Sequence, residues 1–133
     1  MIDIDHFKKI NDDFGHQAGD SVLAELAELI MSNIRISDYF GRYGGEEFLL
    51  VLPETGFEAA SFAMENLREI IEKHHFKKVK SVRVSAGIAA VVDEKIHKSA
   101  ILIENADMNL YKAKENGRNQ IYPAYEKSSV IKE

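Results

Sequence analysis

Residues 41–50, Gly41-Arg42-Tyr43-Gly44-Gly45-Glu46-Glu47-Phe48-Leu49-Leu50, set two glycines and two carboxylates directly ahead of an apolar run. Glycine enters positive φ more readily than any other residue, so Gly44-Gly45 reads as the tight turn of a β-hairpin joining residues 38–43 to residues 47–53. The second arm, FLLVLP, lacks polar alternation, which predicts a central strand.

Working outward from that hairpin, residues 1–5 (MIDID) alternate apolar and acidic as a short strand does, and FKKINDDFGHQAGD reads as a long polar loop. Over residues 21–35, Leu23, Leu26, Ala27, Ile30, Met31 and Ile34 recur at helical spacing, and Ala60, Ala63, Met64, Leu67, Ile70 and Ile71 do so over 57–74. Val82, Val84, Ala86 and Ile88 alternate as a strand. Ser99 is placed to cap a last helix that runs to Asn116 and ends at Gly117, and residues 120–122 form an edge strand. The order β-α-β-β-α-β-α-β predicts an α+β fold: a ferredoxin-like β-α-β-β-α-β core with an extra α-β unit and helices flanking an antiparallel sheet. The expected domain is 1–122, followed by a loose polar tail, 123–133.

The chain has 133 residues, enough for one domain with a real core, and is 45% hydrophobic and 29% charged, an ordinary globular balance. No apolar run is long enough to span a bilayer and no secretory signal opens the chain, so a cytoplasmic protein is expected. With no cysteine, a metal must be held by oxygen or imidazole, which favours hard cations. The net charge of −5 argues against a nucleic-acid or anionic-membrane surface but leaves room for a phosphate ligand carried with a divalent ion.

In a ferredoxin-like sheet the end of the first strand lies beside the hairpin turn, bringing Asp3, Asp5, Glu46 and Glu47 together. Such a cluster either binds a divalent cation, Mg²⁺ with a nucleotide triphosphate rather than Ca²⁺, or is the solvated polar face of an edge strand and its turn. Spacing alone favours the second. Phe7-Lys8 opens a loop whose amides and ammonium could face phosphates, Asn11 and Asp20 carry groups able to read a guanine edge, and Lys114 and Arg118 lie four apart at the end of the last helix. Each has a plain structural alternative: solvated lysine, turn residue, helix cap, helix-dipole partner. His6, His16, His74, His75 and His97 show no metal-ligand spacing.

Taken together, MIDIDHFKKINDDFGHQAGD, RISDYFGRYGGEEF and NLYKAKENGRNQ resemble the GGDEF family of diguanylate cyclases in its GGEEF form, in family order and spacing. The resemblance implies a polymerase-palm-like fold and the condensation of two GTP into cyclic di-GMP with release of two pyrophosphates. It further implies that Asp3, the Ile4 carbonyl, Glu46 and Glu47 hold two Mg²⁺ ions, with Mn²⁺ as a substitute, and that Glu46 or Glu47 assists deprotonation of the attacking 3′-hydroxyl. By the same carry-over, Asn11 and Asp20 recognise guanine, and Asp20 favours GTP over ATP. Phe7, Lys8, Lys114 and Arg118 bind the triphosphate, and Gly44 and Gly45 leave room for the nucleotide. Arg35-Ile36-Ser37-Asp38 resembles the family's RxxD site, at which Arg35 and Asp38 would bind cyclic di-GMP and inhibit the enzyme.

Catalysis in the family needs two domains paired as a homodimer, commonly under an upstream sensor. The usual preceding helix and DxLTGLxNR motif have no counterpart here, so a truncated chain of low stability, or one that compensates by oligomerising, is the expectation. The alternative to an enzyme is a non-catalytic module that binds cyclic di-GMP or GTP.

Overall fold

A computed structural model describes residues 1–91 and 98–126 of the chain. His97 and the tail beyond residue 126 lie outside the described residues. The hairpin forms as read: β2 (Tyr39–Gly44) and β3 (Glu47–Val51) run antiparallel, with a bulge between Arg42 and Gly44. Of the two glycines only Gly45 takes positive φ, +44°. Arg42 Nε donates to the Gly45 carbonyl at 2.7 Å and holds the turn closed.

β3 is interior to a five-stranded sheet ordered β2-β3-β1-β4-β5. The central strand β1 (Ile2–Ile4) is antiparallel to both β3 and β4 (Val84–Gly87), and β5 (Ile121–Tyr122) lies parallel to β4 at the edge. Alternation along β1 sends Ile2 and Ile4 into one core and leaves Met1 in another. The first core packs α2 (His16–Met31) and α3 (Phe57–Lys73) on the sheet through Val22, Leu26, Ile30, Met64, Leu67 and Ile71. Phe40 and Phe48 stack beneath it with ring centres 5.3 Å apart. The second face is covered by α4 (Ser99–Glu115), whose Ala106 and Leu110 meet Met1 and Leu49.

Gly87 makes that second contact close. A Cβ on Gly87 would lie 2.1 Å from the Ala106 carbonyl and from the Leu110 nitrogen, so the backbone of α4 rests directly on β4. Asn109 Nδ2 adds a 2.7 Å bond to the Ile88 carbonyl and fixes the register of the helix along the strand. Covering both faces explains why Ser85 and Gly87 are buried along with Val82, Val84, Ala86 and Ile88.

Several boundaries differ from the sequence reading. The segment read as a long loop contains a helix, α1 (Phe7–Phe14), followed at once by α2, which begins at His16 rather than at residue 21. Phe7 and Ile10 pack on the core from α1, and Gly15, at φ +91°, turns the chain between the helices. α2 stops at Met31 rather than at residue 35, because the Ser32 hydroxyl and the Asn33 amide turn back onto the Glu28 and Leu29 carbonyls at 2.8 Å. Met31 and Ala63, read as apolar-stripe residues, face solvent. Ser99 is the first helical residue of α4 and caps nothing; Lys98 holds the cap position. Gly117, at φ +119°, follows the helix end as read.

Candidate active site

Asp3 sits mid-sheet, opposite Glu47 on β3 and Ser85 on β4, and is 3% exposed. The Ile4 amide donates to the Glu46 carbonyl at 3.3 Å, carrying the β1–β3 pairing up to the turn. Glu46 and Glu47 are half-buried there. One Asp3 oxygen accepts a hydrogen bond from Lys114 of α4, while Oδ1 is buried without a partner. Burial lifts the Asp3 carboxyl from 3.8 to about 6; Lys114 opposes the shift, and the charges of Glu46 and Glu47 add to it. A buried carboxylate with one idle oxygen is a ligand of the kind a hard divalent cation takes.

Asp5 does not join them. Its Oδ1 accepts the Ser85 hydroxyl at 2.6 Å and its Oδ2 the Asn119 amide at 2.8 Å, so both oxygens serve the fold. Among the described residues no three acidic or histidine side chains are gathered closely enough to hold a metal ion, although the charges of Glu46 and Glu47 reach Asp3, and Asp5 stands apart from the expected convergence of four carboxylates. The reason is local: Asp5 lies past the end of β1, where the turn after α4 reaches it.

Asn11 and Asp20 share the seam between α1 and α2. Asn11 lies against Gly19, the neighbour of Asp20, at the position a Gly19 Cβ would fill: Oδ1 is 1.8 Å from that point, and the Phe7 ring is 3.3 Å away. Gly19 is thus a residue the sequence reading passed over, since an interior helical glycine carries no periodic signal. Lys8 is exposed on α1, and Gly44 and Gly45 face open space. Arg118 follows α4 at φ +64°, exposed, and its guanidinium makes no hydrogen bond among the described residues.

A cleft of about 580 Å³ between the hairpin and the start of α4 holds Glu47 but also Glu104 and Asp107, and among the described residues no lysine or arginine lines it. Its charge is wrong for a triphosphate. The cations Lys114 and Arg118 lie instead at the other end of α4.

Arg35 and Asp38 form a separate unit at the far end of β2 from the glycine turn, about 20 Å away along six strand residues. Arg35 donates through Nε and Nη2 to Asp38, at 3.2 and 3.0 Å to Oδ1, and through Nη2 to the Thr55 hydroxyl at 2.7 Å. Desolvation pushes the Asp38 carboxyl upward, yet the hydrogen bonds and charge of Arg35 hold it below its ordinary value. The Arg35 side chain remains 57% exposed. Of the histidines, His74 Nε2 contacts Glu25 at 2.8 Å, tying α3 to α2.

The family described as "Diguanylate cyclase, GGDEF domain" matches residues 1–120. Diguanylate cyclase DgcP of Pseudomonas aeruginosa is 44% identical over 124 residues, covering 91% of this chain and 18% of that protein. Diguanylate cyclase A of Treponema denticola is 42% identical over 125 residues, covering 91% and 33%. The chain therefore spans a third or less of the length of these relatives. Among solved structures, the active GGEEF domain of a diguanylate cyclase from Vibrio cholerae superposes with a TM-score of 0.81 at 40% identity, covering 96% of this chain and 81% of that one. The GGDEF domain of DgcB from Caulobacter crescentus, solved with cyclic di-GMP, gives 0.80 at 29% identity, covering 90% and 72%. With the family matched over residues 1–120 and relatives more than 40% identical over nine-tenths of this chain, the chain belongs to the GGDEF domain family.

Proposed function

We propose that the chain is the catalytic domain of a diguanylate cyclase, joining two GTP into cyclic di-GMP with release of two pyrophosphates. The observation that carries the reading is the half-satisfied Asp3: a buried carboxylate with Oδ1 idle and Lys114 on its other oxygen, flanked by Glu46 and Glu47. Asp3, the Ile4 carbonyl, Glu46 and Glu47 would hold two Mg²⁺ ions, which supply charge neutralisation to the attacking and leaving oxygens of an in-line displacement. Asn11 and Asp20 orient guanine from the α1–α2 seam, and Asp20, an acceptor, selects the guanine edge. Phe7 and Lys8 on α1, with Lys114 and Arg118 at the end of α4, bind the triphosphate. The open face of Gly44 and Gly45 lets the nucleotide approach the turn.

In each half-reaction Glu46 or Glu47 would take the proton of one nucleotide's 3′-hydroxyl, the oxygen would attack the other nucleotide's α-phosphorus, and pyrophosphate would leave with its charge met by Lys114 and Arg118. One domain presents one GTP, so two copies must face each other. Cyclic di-GMP then binds at Arg35 and Asp38, the exposed guanidinium taking guanine and phosphate, and slows the enzyme. GTP as substrate is consistent with a cytoplasmic setting, and among the described residues no helix is long and apolar enough to cross a membrane.

Incubation of concentrated protein with GTP and Mg²⁺ followed by mass spectrometry tests this. Cyclic di-GMP should form with the wild-type chain and be lost in Glu46→Gln, whose circular dichroism should be unchanged. Turnover retained in Glu46→Gln would refute the assignment. GTP or cyclic di-GMP binding without product from either protein would favour a binding module.

A further inference from the structure

The turn after α4 is held in an unusual backbone state. Gly117, Arg118 and Asn119 have φ of +119°, +64° and +47°, three successive residues on the left-handed side of conformational space. Glycine accepts this freely and asparagine tolerates it, but arginine does not, so the surroundings must over-determine the turn. Within the turn, the Arg118 amide donates to the Ala113 carbonyl at 3.1 Å, and Gln120 Nε2 donates to the Arg118 carbonyl at 2.9 Å.

The Gln120 carbonyl accepts from the Ala86 amide of β4 at 3.0 Å, and the side-chain ties to the rest of the fold meet at Asn119. Its amide N–H donates to the buried Asp5 carboxylate at 2.8 Å, its Oδ1 accepts from Arg68 Nη1 at 3.0 Å, and its Nδ2 donates to Glu72 at 3.1 Å. Arg68 is itself gripped by Glu65, at 2.9 and 2.7 Å, and by Glu72. Asp5 is anchored to β4 by Ser85. One side chain and its amide therefore bind the turn to β1 and α3 at once. Two residues before Asp5, on β1, Asp3 takes Lys114, four residues before Arg118. Asp3 and Asp5 thus hold Lys114 and Asn119, on either side of Arg118, against the sheet.

We propose that Asn119, braced by Arg68 and Glu72 and seated on Asp5, is a positioning residue that fixes the backbone beneath Arg118 so that its guanidinium meets the triphosphate of bound GTP. This rests on the role given to Arg118 above. A fixed backbone under a guanidinium that makes no internal hydrogen bond among the described residues lowers the ordering needed on binding, so the brace should act on GTP affinity and not on the chemical step.

The test uses the full chain and GTP. Asn119→Gly keeps the left-handed backbone and its N–H while deleting the ties to Arg68 and Glu72; Arg68→Met removes the brace from the other side and serves if the first variant folds poorly. Either change should raise the GTP KM or Kd by about tenfold with kcat altered less than about threefold. Amide hydrogen exchange at 117–120 should quicken without a matching fall in Tm. In an Arg118→Ala background, Asn119→Gly should add less than about twofold, because both changes remove one interaction. Losses that multiply, or GTP affinity unchanged in both brace variants while Arg118→Ala weakens it, would overturn the proposal. If Arg118→Ala binds GTP as the wild type does, the triphosphate role of Arg118 fails first and the brace falls with it.

Discussion

Asp3 on β1 and Asp5 just past its end have opposite fates. Asp3 keeps an idle oxygen, whereas Asp5 spends both of its own on Ser85 and Asn119. Lys114 is what Asp3 has for a counter-charge, so Lys114→Met should lower the stability of metal-free protein at pH 8 by about 1–3 kcal/mol in urea titrations. Millimolar Mg²⁺ should then stabilise the variant more than the wild type, if Asp3 is a metal ligand. The two turn glycines should separate in the same way. Gly45→Ala places a side chain at φ +44° and should cost about 1 kcal/mol of stability, whereas Gly44→Ala, in open space without positive φ, should leave stability within about 0.5 kcal/mol yet raise the GTP KM. At this scale the sequence was readable where partners are near in the chain or implied by pairing, as for Asp3 beside Glu47. It was unreadable for Asp5, whose partners stand 80 and 114 residues away.

At the scale of elements, the hairpin, α3 and the last helix were legible because glycine pairs and long apolar stripes report local physics. α1 was not: Asn and Asp weigh toward a loop, and only Phe7, Ile10 and Phe14 at helical spacing, with the Lys9–Asp13 pair at 2.7 Å, spoke for a helix. Gly87 was equally silent, since a hydrophobic pattern does not register a residue chosen for having no side chain. Gly87→Ala should cost about 3 kcal/mol or more, because the obstructing atoms are the backbone of α4, and a lowered urea midpoint would check it. The tie from α3 to the turn has a pH signature. The Arg68 hydrogen bond, and then that of Asn119, hold the Glu72 carboxyl below its ordinary 4.5. A depressed carboxylate binds protons more weakly in the folded state, so its contribution is present above about pH 4.5 and is lost as pH falls through the folded value. Urea midpoints measured below about pH 5 should therefore decline less steeply for Glu72→Gln than for the wild type.

The whole molecule is a sheet with two unequal covers, α2 and α3 over one face and α4 over the other. Fold class, and with it the place of β1 beside the hairpin, followed from element order, because few topologies accommodate that succession; the parallel seat of β5 on β4 did not. Whether two copies meet is a property no single chain displays. If the reaction needs paired domains, specific activity should climb with protein concentration in dilute solution and level off once the pair is saturated; a flat profile from nanomolar upward would mean that one copy suffices. The seat of α4 on Gly87 bears on what such a domain can become. With no cushion of side chains between helix and strand, the joint has no play, and the spacing of Lys114 from Asp3 is inherited from backbone contact rather than from any residue that drifts. Lineages, or engineers, can then trade the surface of the helix and the chain attached at either end without recalibrating that distance. The same joint forbids gradual adjustment: a different reach between cation and carboxylate would require a different helix register, a change that no succession of surface substitutions can deliver.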